Sequence, residues 1–236
     1  MRLVLCALAL TPAFAEASTL YSQPPVISAQ PLITTALGIS DLDGGSIFAF
    51  ANQRLADNFA LTDPVEVDAV QFFGGSETFF GNSLSNIASI NIEFFANVNG
   101  NAGASLFSES VPFADLNATQ VPNASLGAFG GTAMYEFNAV LDTPAELPAG
   151  QYFISIAGIT VNPVDFSNEA FQWAASASGD SLILVNSFDG NGFVPSATFA
   201  NRNGAFTLQG RVVPEPTTAA TMLMLPALLR RRSRSR

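Results

Sequence analysis

Short runs in which apolar and polar residues alternate recur along most of the chain, with turn residues between them. The clearest is residues 90–94, where Ile90, Ile92 and Phe94 fall on one face at the period of a strand. Similar runs occupy residues 135–137, 152–156, 171–173, 181–185 and 205–211. Asn-Gly and Gly-Asp pairs supply turns between them. The pattern predicts an all-β fold, a single antiparallel β-sandwich over residues 18–211, with no helix longer than a turn or two.

Two stretches depart from regular alternation. Residues 65–69 alternate apolar with acidic side chains, and residues 70–72 resume the alternation one residue out of step. Such a slip predicts a β-bulge near Ala69. Residues 105–132 show a weaker pattern, and we predict one strand there, followed by a long loop.

The N-terminus has the parts of a bacterial export signal. Met1-Arg2 supplies one positive charge, residues 3–10 are apolar, and Ala13-Phe14-Ala15 places small residues where a signal peptidase reads. We predict a signal peptide over residues 1–17, with cleavage after Ala15 or, as the second choice, after Ala17. Cys6, the single cysteine, lies inside it. The mature chain is therefore expected to have no thiol, which excludes disulfides and cysteine-based metal sites.

The C-terminus combines a short motif, an apolar run and a basic end. Pro214, Glu215 and Pro216 precede the apolar residues 217–229, and five of the chain's nine arginines lie in the last seven residues. A helix over those 13 apolar residues would span about 20 Å, short of the ~30 Å hydrocarbon core. We therefore expect the membrane to hold this apolar segment only transiently, while the arginines stay in the cytoplasm.

This order of parts resembles the C-terminal sorting signal of PEP-CTERM proteins, which are exported and then processed by a membrane enzyme of the exosortase type. The resemblance implies that Pro214, Glu215 and Pro216 mark the recognition and cleavage region. It also implies that Arg230, Arg231 and Arg232 form the cytoplasmic basic end, within a sorting signal over residues 212–236. The implied location is exported: transiently held in the inner membrane, then in the envelope or outside the cell.

Parts of the body also resemble the body common to many proteins with this tail. The matching segments are residues 56–61, 70–75, 92–97, 147–153, 171–173 and 205–210. The likeness implies a jelly-roll-like sandwich, and no biochemical activity comes with it.

Charge and composition narrow the functional classes. The chain has no histidine and no lysine, and between Asp41 and Asp189 it carries 17 acidic residues, against three arginines in the whole body. A body charge of about −14 argues against nucleic-acid binding, which requires clustered Lys and Arg. Without His, Cys or Lys, the usual nucleophile–base pairs of enzymes are missing as well. We predict that the protein is not an enzyme, and only a glycosidase based on paired carboxylates stays open.

Oxygen-rich loops are the candidates for metal binding. Asp41 and Asp43, and later Asp189 and Asn191, lie beside glycines on tight loops of the kind that hard cations prefer. Neither loop follows the EF-hand pattern, and Asx-Gly pairs are also ordinary hairpin turns. We predict no cofactor, with a structural calcium ion at these residues as the open alternative.

Aromatic residues are the candidates for sugar binding. A sugar-binding face needs exposed Trp or Tyr, and the chain has one Trp, three Tyr and 21 Phe. Trp173 lies between Phe171 and Ala175 at strand period, so we expect it to be buried. Tyr21, near the predicted mature N-terminus, is expected to have no fixed structure.

Three functional classes follow. The first is a structural or interaction protein of the envelope or extracellular matrix, with an exosortase-type enzyme as partner and extracellular polysaccharide as a possible second one. The second is a secreted carbohydrate-binding jelly-roll module. The third is the carboxylate glycosidase.

Overall fold

Apolar residues that alternate with polar ones produce the central strands of the part of the chain that the structure describes. The structure is a computed structural model. It describes residues 17–27, 36–40, 53–77, 84–85, 87–126, 132–161, 170–186, 192–196 and 202–214. The predicted signal peptide up to residue 16 and the predicted tail from residue 215 onward lie outside the described residues.

Fourteen strands and one 3-10 turn (Phe113–Asp115) make up the described secondary structure. The strands are β1 (Ser18–Gln23), β2 (Ala36–Ile39), β3 (Arg54–Leu61), β4 (Val65–Glu77), β5 (Ile87–Val98), β6 (Asn101–Pro112), β7 (Thr119–Leu126), β8 (Thr132–Leu147), β9 (Gly150–Thr160), β10 (Ala170–Ser176), β11 (Ile183–Asn186), β12 (Val194–Pro195), β13 (Asn203–Gly204) and β14 (Phe206–Val212). Within this part of the chain, no helix has the length and apolar character to cross a membrane.

The strands form two antiparallel sheets. In the first, β4 pairs with β8 on one side and with β14 and β10 on the other, and β7, β1, β2 and β13 extend it. The second has the order β12-β11-β3-β9-β5-β6. The predicted antiparallel all-β sandwich is confirmed, while the finer jelly-roll likeness stays a prediction.

The largest of the three hydrophobic clusters in the described residues draws side chains from both sheets. Phe72, Phe137 and Phe206 enter it from the first sheet, and Phe94 and Tyr152 from the second. The predicted inward positions of β5 are confirmed: Ile90, Ile92 and Phe94 are fully buried.

The predicted bulge in β4 is present. The pairing of β4 with β8 shifts between Val67 and Ala69, and Val67 and Val70 both remain in the core. In the pairing with β14, Val67 lies opposite Gly210 and Ala69 opposite Gln209, so Asp68 is the extra residue on β4, and Val67 and Val70 can share one face. In the pairing of β4 with β8, residues 141–144 of β8 have no partner on β4.

The prediction for residues 105–132 was wrong in its second half. A strand occupies the expected place, but the 3-10 turn and then β7 follow it in place of a long loop. Among the described strands, β7 pairs with β8 alone, and it contains Pro122 and Asn123, the latter with φ of 56°. Because edge strands tolerate proline and irregular pairing, this strand lacks the alternation that reveals strands with a buried face.

The expectation for Tyr21 was also wrong. Tyr21 belongs to β1, and its ring packs 5.5 Å from that of Phe206 and 5.6 Å from that of Phe59. β1 thereby takes part in the core that joins the two sheets.

Candidate functional site

The predicted sorting motif begins where the last strand ends. Arg211 pairs with Glu66 of β4, and Val212 pairs with Val65. The backbone N–H of Val213 then donates to the carbonyl oxygen of Pro64 at 2.8 Å. Pro214, the first residue of the motif, is exposed. The chain thus passes from a hydrogen-bonded strand into the motif with no linker between them.

An open groove of about 480 Å³ adjoins this point, and we call it the exit groove. Its lining is Pro64, Val65, Glu66, Glu146, Leu147, Pro148 and Val213. These residues come from the start of β4, the end of β8 and the end of the described chain. The groove is mostly apolar, and two carboxylates lie in its lining.

Charge in the exit groove is only partly balanced. Glu66 and Glu146 are direct neighbours across β4 and β8, so two like charges lie side by side. Arg211, on the opposite side of Glu66, forms an ion pair with it. Glu146 is exposed and has no ion pair with another residue that the structure describes. One arginine therefore moderates the repulsion between two carboxylates.

The predicted mature N-terminus lies beside the same strand. Ser18, the first residue of β1, pairs with Gly210, and its hydroxyl donates to the Gly210 carbonyl oxygen at 3.2 Å. A side chain at Gly210 would collide with the carbonyl oxygen of Glu66, so only glycine allows β14 this close to β4. Both predicted processing boundaries consequently flank β14.

A buried carboxylate, Asp57, is the residue that the sequence reasoning missed. It is fully buried, on the core-facing side of β3 between Leu55 and Phe59. Its Oδ2 accepts from the Gly204 N–H at 2.7 Å, and its Oδ1 accepts from the Asn58 N–H at 2.9 Å. The alternation of inward and outward side chains along β3 could have revealed Asp57, because it places residue 57 on the inward face.

The side chain of Gln23 completes this cluster. Its amide is oriented by its neighbours: the nitrogen donates to Asp57 Oδ2 at 2.9 Å and to the Gly204 carbonyl at 2.8 Å, and the oxygen accepts from the Tyr21 hydroxyl at 2.6 Å. Asp57 therefore ties β1, β3 and β13 together.

Burial raises the pKa of the Asp57 carboxyl well above its ordinary value. The hydrogen bonds from the backbone N–H groups of Gly204 and Asn58 oppose that rise, and the nearby Asp180 adds to it. Asp57 is enclosed by the core, where its hydrogen bonds join three strands.

The remaining predicted site residues fall mostly beyond the described ranges. Glu215 and Pro216, the basic end (Arg230, Arg231 and Arg232) and the calcium candidates (Asp41, Asp43, Asp189 and Asn191) all lie outside the described residues. Within the described ranges, no group of three or more His, Cys, Asp or Glu side chains could hold a metal ion. The possible calcium ion therefore stays a prediction.

The expectation for Trp173 is confirmed. Its side chain is fully buried, and its Nε1–H donates to the Ala205 carbonyl oxygen at 3.1 Å. It cannot serve as an exposed platform for a sugar ring.

Comparison of the chain with models of protein families and with curated proteins finds no match. The likeness to exported, C-terminally sorted proteins thus rests on the residues of the two ends and the body segments given above.

Proposed function

We propose that this protein is an exported β-sandwich that serves as a structural or interaction protein of the cell envelope or extracellular matrix. We further propose that an exosortase-type membrane enzyme processes it at the C-terminal sorting signal. One observation carries the proposal: among the described residues, the strands run from Ser18 to Val212, next to the boundaries that the two targeting segments predict.

This agreement has a physical basis. A segment that is removed after export cannot supply strands to the mature fold without destabilising it. The body described here takes its first strand from just after residue 17 and its last from just before Pro214. Removal of both targeting segments would therefore leave in place every paired strand that the structure describes.

The body supports an interaction role more than a catalytic one. Asp57, the carboxylate whose pKa burial raises well above its ordinary value, is enclosed in the core. Trp173, the side chain best suited to stack on a sugar, is enclosed as well. Neither observation favours the glycosidase or the carbohydrate-binding module, so we do not propose them further.

The test compares the full-length parent with three altered chains in the native host. Deletion of residues 214–236 should abolish C-terminal processing while the sandwich still folds, and Pro214→Ala combined with Pro216→Ala should slow processing strongly. Thr221→Ala, which keeps the motif, the apolar run and the basic end, is the matched control and should be processed like the parent. If the deleted and full-length chains reach the same location at the same final size, the sorting proposal is wrong.

A further inference from the structure

The second sheet ends in a long strand with a free edge. β6 (Asn101–Pro112) pairs with β5 on one side, and no other strand among the described residues pairs with its opposite side. Val111 belongs to the largest hydrophobic cluster and Phe107 packs against it, so the strand is firmly attached to the body. Its free side presents backbone N–H and C=O groups that could pair with a further strand.

The other edge strands of the described residues are short or contain a proline, two features that protect sheet edges from pairing with another chain. β1, β2, β12 and β13 have six residues or fewer, while β7 contains Pro122 and β8 contains Pro144. β6 has 12 residues and a proline only at its last position, so each of residues 101–111 has a backbone N–H. Its pairing with β5 shifts register twice within residues 102–107, and these shifts remove no N–H group.

β6 is also nearly uncharged, although the body carries a charge of about −14. Glu109 is the only charged residue in this strand. Its Oε1 accepts from the backbone N–H of Asp142 in β8 at 2.9 Å, so the carboxylate is directed toward the first sheet. Leu106, at the middle of the strand, has 50% of its side chain exposed. The edge thus offers neutral groups on a strongly acidic body.

This charge distribution indicates which partner fits the edge. A basic partner would meet a single carboxylate, which already accepts a hydrogen bond from Asp142. A second copy of β6 fits better, because two identical strands related by a two-fold axis pair antiparallel. When the pair is centred on Leu106, the two exposed leucine side chains meet. Glu109 then lies opposite Gly103 of the other copy, so the two carboxylates stay apart.

We propose that two copies of this protein associate edge to edge through β6, in antiparallel register around Leu106, and so join their second sheets into one continuous sheet. The inference adds a second copy of the chain as a partner, and it rests on the structural role proposed above for its biological purpose. The association itself depends on the body and on neither targeting segment.

Salt gives the association a signature. Outside the paired edges, two acidic bodies repel each other, and salt screens this repulsion to about 8 Å at physiological ionic strength. The dimer should therefore become more stable as the salt concentration is raised. A contact built on ion pairs would become weaker instead.

The first experiment is sedimentation equilibrium of the protein recovered from the native host, at low and at high salt. Leu106→Glu places two like charges against each other at the centre of the pair, so we expect its dimer dissociation constant to rise about tenfold or more. Val161→Glu is the matched control: Val161 is equally exposed and adds the same charge, but it follows β9, an internal strand. It should dimerise like the parent.

Circular dichroism checks that each variant is folded, and Ala104→Glu, at another exposed position of β6, takes the place of Leu106→Glu if that variant unfolds. A parent that stays monomeric up to about 1 mM would overturn the inference. So would equal dissociation constants for the parent and the folded β6 variant, or weaker association at high salt. Each of these results would leave the sorting proposal intact, because that proposal concerns the two ends of the chain.

The second experiment tests the register. Cys6→Ser removes the single cysteine of the chain, so that Leu106→Cys then supplies the only thiol. Opposed residues of an antiparallel pair have Cα atoms about 4.5–5.5 Å apart, a separation that a disulfide can span. We expect oxidised glutathione to convert the Leu106→Cys protein into a covalent dimer, with little dimer from Val161→Cys on the same background. Equal yields of covalent dimer from the two variants would refute the pairing around Leu106.

Discussion

Replacement of Asp57 tests the cluster that joins β1, β3 and β13. In Asp57→Ala, the Gly204 N–H and one N–H of the Gln23 amide lose their acceptor in the core. A buried donor without a partner costs about 1–3 kcal/mol, so two such donors predict a loss of about 2–6 kcal/mol in the free energy of unfolding. Urea unfolding followed by circular dichroism measures it.

The pH dependence of the free energy of unfolding tests the effect of the Asp57 charge separately from the effect of its shape. The folded-state pKa of Asp57 lies well above 3.8, the ordinary value expected for the unfolded chain. The contribution of Asp57 to the free energy of unfolding is therefore fully present at pH values below the pKa of this carboxyl in the unfolded chain. It is lost as the pH rises through the folded pKa, because the folded state disfavours the charged form.

Asp57→Asn has nearly the same shape and cannot ionise, so it is the matched variant. We expect the stability of the parent minus that of Asp57→Asn to fall with rising pH, by at most about 1.4 kcal/mol per pH unit between the two pKa values. The other carboxylates titrate in both proteins and cancel in the difference. A difference that stays constant from pH 3 to about pH 8 would refute the reasoning, because it would mean that burial does not disfavour the charged form.

Two further substitutions test packing and charge, both by urea unfolding. In Gly204→Ala, the new Cβ would lie under 3.0 Å from the rigid ring of Trp173, so we expect a loss of about 1–3 kcal/mol, and an unchanged midpoint would contradict this contact. Arg54 forms an ion pair with Glu93, and its guanidinium lies 5.7 Å from the centre of the Phe95 ring. Arg54→Met should cost about 3 kcal/mol by leaving a mostly buried carboxylate without its partner, and Glu93→Gln added to it should restore most of that loss; no recovery would refute the pairing.

The alternation of β5 predicted its inward face correctly, because side chains on a strand with one buried face must repeat every second residue. The slip near Ala69 predicted the bulge for the same reason. Alternation could not predict β7, whose edge position removes the requirement for a regular apolar face. It also failed for Tyr21, because the pairing of β1 with β14 joins residues almost 190 positions apart in the chain.

Asp57 shows, at a single residue, what the local sequence predicts and what it cannot predict. The inward position of Asp57 follows from the local period of β3. Its partners, Gln23 and Gly204, come from distant strands, and the backbone N–H of Gly204 is invisible to any motif of side chains.

The sequence by itself determined the strand content and the acidic character, and it predicts the two terminal targeting segments, because each depends on neighbouring residues or on composition. The tertiary structure alone decided that β14 lies between β1 and β4, that Arg211 pairs with Glu66 next to Glu146, and that Val213 donates a hydrogen bond to the body. The reason is that pairing between distant strands depends on the register of whole sheets, which no local stretch of sequence specifies.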